Sequence, residues 1–298
     1  MTSLGWRAAV ARLVAATLLG SLLALLSGCS VVKLGYRGAG TFTLHWLDRY
    51  LELDNKQQAW ASERIDAFYA WHRVTQLPEY AQWLTRRTAL LKQDPVTAAD
   101  LLALNADITT WLDIVATKAL PDLAALALQL KPAQIAAIET KFAKNNAVFR
   151  KDFLDVDLDQ RQVARYKTVM WLAELLFGRF SAEQQALIRR ASDARPLINE
   201  SWLSERVDRQ RDLIATLRGI AADKPTSEAT QDVLKPHVQR ATGIGYIPDP
   251  VVRAQADAAA AQAAALSAMI VNMTTPEQKR HAIERLQQWA ADLMDLSR

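Results

Sequence analysis

From residue 42 onward, apolar residues recur at intervals of three and four. Within 157–178 they are Val163, Tyr166, Met170, Ala173 and Phe177. Within 132–153 they are Ile135, Ile138, Phe142 and Phe149, with Asn145 on the same seam. Leu203, Val207, Ile214 and Leu217 follow Pro196, with Gln210 between them, and Ile283, Leu286, Ala290 and Leu293 lie near the C-terminus. One apolar stripe per segment is what helix packing requires. Val/Ile alternation is scarce, and no Asn-Gly or Asp-Gly hairpin turn occurs. The pattern predicts an all-α, multi-helix bundle with helices over 42–52, 55–75, 78–92, 97–119, 121–129, 132–153, 157–178, 182–192, 196–219, 226–240, 250–272 and 276–296. Ala241–Pro250, with Gly243, Gly245, Pro248 and Pro250, reads as a loop or hinge. The alanine-rich stretch after Arg253 predicts a thin helix that packs closely on more than one side.

Residues 1–28 break this pattern. Arg7 and Arg12 precede an apolar run, roughly Leu13 to Leu26, that is too short to span a bilayer. The run ends at Leu26-Ser27-Gly28-Cys29, and Cys29 is the only cysteine. The alternative reading is a cleaved signal peptide, or a simple anchor, with an incidental cysteine. The pattern resembles the bacterial lipobox, which implies cleavage before Cys29 and acylation of that residue. Several acyl chains satisfy the need for more than one in stable anchoring. Ser30, rather than Asp, follows the cysteine, and by resemblance to known sorting patterns this favours the outer membrane, facing the periplasm. The expected organisation is a lipoprotein signal peptide over 1–28, a lipidated cysteine and flexible tether over 29–41, and a single helical domain over 42–298. Gly35, Gly38 and Gly40 make the tether pliable, although Val31, Val32, Leu34 and Tyr36 suit headgroups or a docked segment equally.

Cleavage takes two arginines, so 36 Lys and Arg fall to 34 against 32 Asp and Glu, a net charge of +2. That balance gives no basic surface for nucleic acid. With Cys29 acylated, no disulfide is available, and the 270-residue remainder must be stable from its core alone.

One short pattern recurs. It reads Leu53-Asp54-Asn55-Lys56-Gln57, Leu130-Lys131-Pro132-Ala133-Gln134, Phe180-Ser181-Ala182-Glu183-Gln184 and Thr274-Thr275-Pro276-Glu277-Gln278. Each copy marks a helix start. Asp54, Ser181 or Thr275 caps the helix, and the glutamine three residues on reaches back to the cap's own N–H. Lys131 cannot cap in this way. The copies lie 77, 50 and 94 residues apart, which is no solenoid period. Ordinary capping boxes are one reading. The pattern also resembles the Leu-Thr-x-x-Gln motif of the Spy-like periplasmic proteins, although Leu-Thr is never intact. Those proteins are all-helical cradles that hold unfolded clients. The chain is further similar to a family of uncharacterised proteobacterial lipoproteins. The matching stretches are Cys29–Tyr36, Trp46–Leu53, Trp71-His72-Arg73 and Leu77-Pro78-Glu79-Tyr80. That resemblance implies location and fold class, not an activity.

Candidate chemistry is sparse. Aromatics crowd residues 42–83, either as a core where the first helices meet or as a binding groove of Trp46, Tyr50, Trp60 and Trp71. His45 and His72 lie among them, but a histidine metal site lacks a third ligand. Asp155-Val156-Asp157-Leu158-Asp159 fails as a calcium loop, because Gln160 and Tyr166 stand where glycine and glutamate are needed. It reads instead as a helix start in which Asp157 and Arg161 form an i,i+4 pair. No phosphate loop, nucleophile elbow or His-Glu-x-x-His motif is present. We therefore expect no cofactor, no metal and no enzymatic activity. The leading expectation is a protein-interaction or chaperone-like envelope component whose partners are the membrane, through Cys29, and envelope proteins or unfolded clients. The alternatives are an envelope-associated enzyme using His45 or His72 with Asp48 and Glu52, or a purely structural lipoprotein.

Overall fold

The computed structural model describes residues 31–241 and 249–298. Leu26, Ser27, Gly28 and Cys29, together with the centre of the expected loop, lie outside the described residues. Among the described residues there are eleven α-helices and no strand. They are α1 (Val31–Arg37), α2 (Ala39–Leu51), α3 (Asn55–Arg87), α4 (Ala98–Ala127), α5 (Pro132–Phe153), α6 (Leu158–Phe177), α7 (Ala182–Asp193), α8 (Asn199–Asp223), α9 (Ser227–Ala241), α10 (Pro250–Met273) and α11 (Pro276–Leu296). The all-α bundle expected from the apolar spacing is what forms.

Two boundaries differ from expectation for the same reason. Pro78 and Pro121 were read as breaks, yet α3 and α4 run through them. A proline inside a helix orphans the carbonyl four residues back. Here those carbonyls belong to Val74 and Thr117, both exposed, where water can take the lost donor's place. Uninterrupted, α3 and α4 are each about 45–50 Å long.

Residues 31–41 also differ. They are helical, where three glycines predicted a pliable tether. Glycine costs a helix about 1 kcal/mol relative to alanine, and docking outweighs that cost. The Lys33 ammonium lies 2.7 Å from Asp295 and 3.3 Å from the buried Asp292 on α11. At Gly178, which closes α6, the backbone φ of +76° calls for glycine, while an added Cβ would only touch the His281 ring at ordinary contact distance.

The helices bury two apolar cores. Leu51, Leu120, Leu130, Ile135, Ile214 and Leu234 lie in the first, built by α2, α4, α5, α8 and α9. Val96, Met170, Phe177, Ile188, Ile270 and Leu286 lie in the second, built by α6, α7, α10 and α11 with the segment before α4. The long helices serve both. Trp60 of α3 packs on the first core and Leu84 on the second, while α4 enters the second at Leu101 and finishes in the first. The alanine-rich α10 packs against α4, α7 and α8, as its thinness predicted.

The four glutamines meet in two pairs. Gln57 donates to the Gln134 Oε1 at 3.2 Å, and Gln134 donates back to the Gln57 Oε1 at 2.8 Å. Gln184 and Gln278 do the same at 2.9 and 3.2 Å. Each Oε1 also accepts from the N–H of its own cap position, at Asp54, Lys131, Ser181 and Thr275. Each amide's second donor crosses to the end of the helix opposite. Gln57 reaches Gln129 O, Gln134 reaches Leu51 O, Gln184 reaches Met273 O and Gln278 reaches Arg179 O. Every donor and acceptor of the four amides is therefore used. The bonds supply partners to carbonyls at helix C-termini, which have none within their own helix. Where Lys131 cannot cap, its ammonium bonds the Asp54 carboxylate of the partner motif at 2.8 Å.

Gln134→Leu should orphan the Gln57 donor that now bonds the Gln134 Oε1, the Lys131 N–H and the Leu51 carbonyl. At about 1–3 kcal/mol per unpaired group, the melting temperature should fall by roughly 5–15 °C. Gln58→Leu, one residue from Gln57 but exposed, should leave melting by circular dichroism nearly unchanged.

Candidate functional site

The aromatic segment divides in two. Its first part walls a groove between α2, α3 and α4, with a volume of about 270 Å³. Trp46 and Leu47 come from α2, Trp60 and Phe68 from α3, and Leu123 and Leu126 from α4. The floor is apolar, and Arg64 and Asp122 stand as the charged groups of the wall. Trp46 is 49% exposed, and Phe42 and Leu34, on the same two N-terminal helices, are 69% and 70% exposed.

Of the four aromatics expected to form one surface, the structure brings Trp46 and Trp60 together in this groove. Tyr50 does not line it. Its ring lies 4.8 Å from that of Trp46 and 6.1 Å from that of Phe142, and its hydroxyl accepts from the Asn145 amide at 2.7 Å. Asn145, placed on an apolar seam by the sequence, thus has a partner there. Trp71 lies farther along α3, 5.5 Å from Phe68, under the Lys118 ammonium. The α4 wall was hidden in the sequence, because reading Pro121 as a break split Ala119 from Leu123 and Leu126.

The second part is a ladder of rings along α3. His72 Nδ1 lies 3.0 Å from the Tyr36 hydroxyl and Nε2 lies 3.5 Å from that of Tyr80. A neutral imidazole has one donor and one acceptor nitrogen, so it bonds one phenol each way. Tyr80 continues to Trp111 at 4.6 Å and Trp111 to Trp83 at 5.1 Å. The Trp83 indole donates to Asp107 at 2.7 Å, and this bond holds the carboxyl below its ordinary range, with the Arg87 guanidinium on the same oxygen. Tyr36, His72 and Tyr80 come from three separate stretches that carried the lipoprotein resemblance, and here they fasten α1 to α3.

The histidines and acids weighed for catalysis do not line the groove. His45 is exposed on α2, and Asp48 accepts the Leu53 N–H in the turn after α2. Glu52 closes that helix in the left-handed region at φ 48°. Among the described residues, no three histidine, cysteine or acidic side chains are placed to hold a metal ion, and no helix is long and apolar enough to cross a membrane. Asp157 caps α6, as read from the sequence, but Arg161 pairs with Glu200 at 2.8 Å rather than with Asp157.

Residues 49–236, well over half of the chain, match the model of a family described as a family of unknown function (DUF6279). The chain belongs to that family. No curated protein and no solved structure matches it.

Burial lowers the His72 pKa below its ordinary 6.5, and that of His237 likewise. The unfolded chain therefore takes up these protons first as pH falls. The stability tied to neutral His72 is complete above about pH 6.5 and is lost as pH drops through the lowered folded value. Urea unfolding at pH 7.5 and pH 5 should show a smaller acid loss for His72→Gln than for the parent; equal losses would remove His72 from the effect.

Proposed function

We propose that this protein is an outer-membrane-anchored periplasmic lipoprotein that binds apolar segments of other envelope proteins, in the manner of a chaperone or a dedicated interaction partner. The observation that carries the reading is the aromatic groove, with Trp46 half exposed at its rim. Tryptophan presents a large apolar face and one polar N–H, which suits a surface that is alternately wet and covered. The groove is open and apolar, with Arg64 and Asp122 as its charged groups. The anchor rests on the lipobox and Cys29. An acyl chain there would hold α1 and α2 close to the bilayer, with Leu34, Phe42 and Trp46 as the nearest exposed apolar groups. The Spy-like resemblance supports the same reading, since those proteins hold unfolded clients.

In-cell crosslinking of the anchored protein, with Cys29→Ala as control, tests the reading. Many partly unfolded partners support a chaperone-like role, one stoichiometric partner supports a dedicated component, and an empty result overturns both. With purified protein, Trp46→Ala combined with Leu123→Ala should weaken suppression of a denatured client's aggregation about tenfold, because hot-spot aromatics carry most interface energy. Melting temperature should change little, because both side chains are exposed at the rim. Loss of folding instead would make them core residues.

A further inference from the structure

A larger cavity, about 450 Å³, lies on the second core, away from the aromatic groove. Its walls are the apolar faces of α6 and α10, with Leu101 and Leu104 of α4 and Leu286 of α11. Along α6 it runs from Val169 through Leu172 and Leu176 to Phe177, a length of about 12 Å at 1.5 Å per residue. Apolar cavities of this kind take apolar ligands readily.

One end is cationic. Arg195, in the turn after α7, lines the cavity, as does Arg87 of α3, which is paired with Asp107. Arg165 sits one helical turn before Val169, on the same face of α6, and its charge acts directly on that of Arg195. Arg165 donates one N–H to the Pro196 carbonyl at 3.1 Å. Its Nε and second terminal nitrogen, and the Nε of Arg195, are buried without a protein partner. Burial lowers both guanidinium pKa values. Asp193 bonds Arg189 at 2.5 Å through one oxygen, while its other oxygen is buried without a hydrogen-bond partner and its charge acts on Arg165. Arg240 and Arg161 also have an unpartnered buried Nε but form ion pairs, Arg240 with Glu205 at 2.9 Å and Asp212 at 3.1 Å, and Arg161 with Glu200 at 2.8 Å. Two adjacent guanidiniums with unpartnered buried donors and no ion pair of their own can receive an anion.

We infer that this cavity binds a single-chain anionic amphiphile, with its carboxylate or phosphate head on Arg165 and Arg195 and its alkyl chain between α6 and α10. The head explains the unpartnered donors, and the chain explains the apolar volume beside them. Neither feature alone specifies a ligand, but together they specify a charged head and an apolar tail beside it.

Calorimetry on the full chain carrying Cys29→Ala would use sodium dodecanoate, dodecyl phosphate, dodecanol and dodecyltrimethylammonium below their micelle concentrations. One-to-one binding of an anionic probe at least tenfold tighter than of the alcohol or the cation is expected. Preference for the phosphate would point to a lipid-phosphate source, and preference for the carboxylate to a free fatty acid. Arg195→Gln should remove that preference without lowering the melting temperature, since the Arg195 side chain forms no ion pair. Ala263→Leu, which fills the chain's path, should weaken all four probes. Equal binding of all four, no binding of the anions, or an unchanged preference in Arg195→Gln would each overturn the assignment. None of these outcomes bears on client capture by the groove.

Discussion

Two glutamine side chains that donate to one another fix the geometry of this protein. A primary amide has two donors and two acceptor sites, and burying it half-satisfied is costly. Here all four capacities are filled only when two helix starts and the two helix ends before them take up one relative placement. Each pair therefore sets where four chain segments sit, not merely how two helices begin. Trp60 and Ala61 line the groove one turn after Gln57, and Leu126 stands one turn before Gln129. Phe177 and Val271 line the larger cavity within two residues of Arg179 and Met273, which accept from Gln278 and Gln184. Both cavities are thus held open beside a glutamine pair.

The two pairs repeat one device at different chain separations. The first joins residues 77 apart and encloses only α3 and α4. The second joins residues 94 apart and encloses α7, α8, α9 and α10. A repeat of bonding without a repeat of period marks a local solution to one packing problem, helix ends meeting in a core, rather than a solenoid.

Much of this was legible in the sequence. Stripe spacing located the helices, and capping chemistry located the starts of α3, α5, α7 and α11. The pairing of the glutamines was not legible, because a capping glutamine leaves its amide donors unspecified until the tertiary fold brings carbonyls to them. Pro78 and Pro121 misled because local cost was weighed without knowing that Val74 and Thr117 lie on exposed faces of their helices. The glycines of residues 35–40 misled because Lys33 and Tyr36 dock on distant residues. At the groove, Trp46 and Trp60 stood out by residue type, but Tyr50 and Trp71 differ from them only in where α4 and α5 lie. Arg165 and Arg195 gave no signal at all. A surface arginine and an unpaired half-buried one read identically until their neighbours are placed.

The packing of α3 along α11 sets an order of events in biosynthesis. A chain emerges N-terminus first, and roughly 190 residues separate these helices. Whichever process delivers the chain, the inner face of α3, with Leu77 and Ala81, arrives well ahead of its cover. The same interval leaves Lys33 without the two aspartates that hold α1. The N-terminal third therefore stays open until α11 docks, and that docking is the step that closes it.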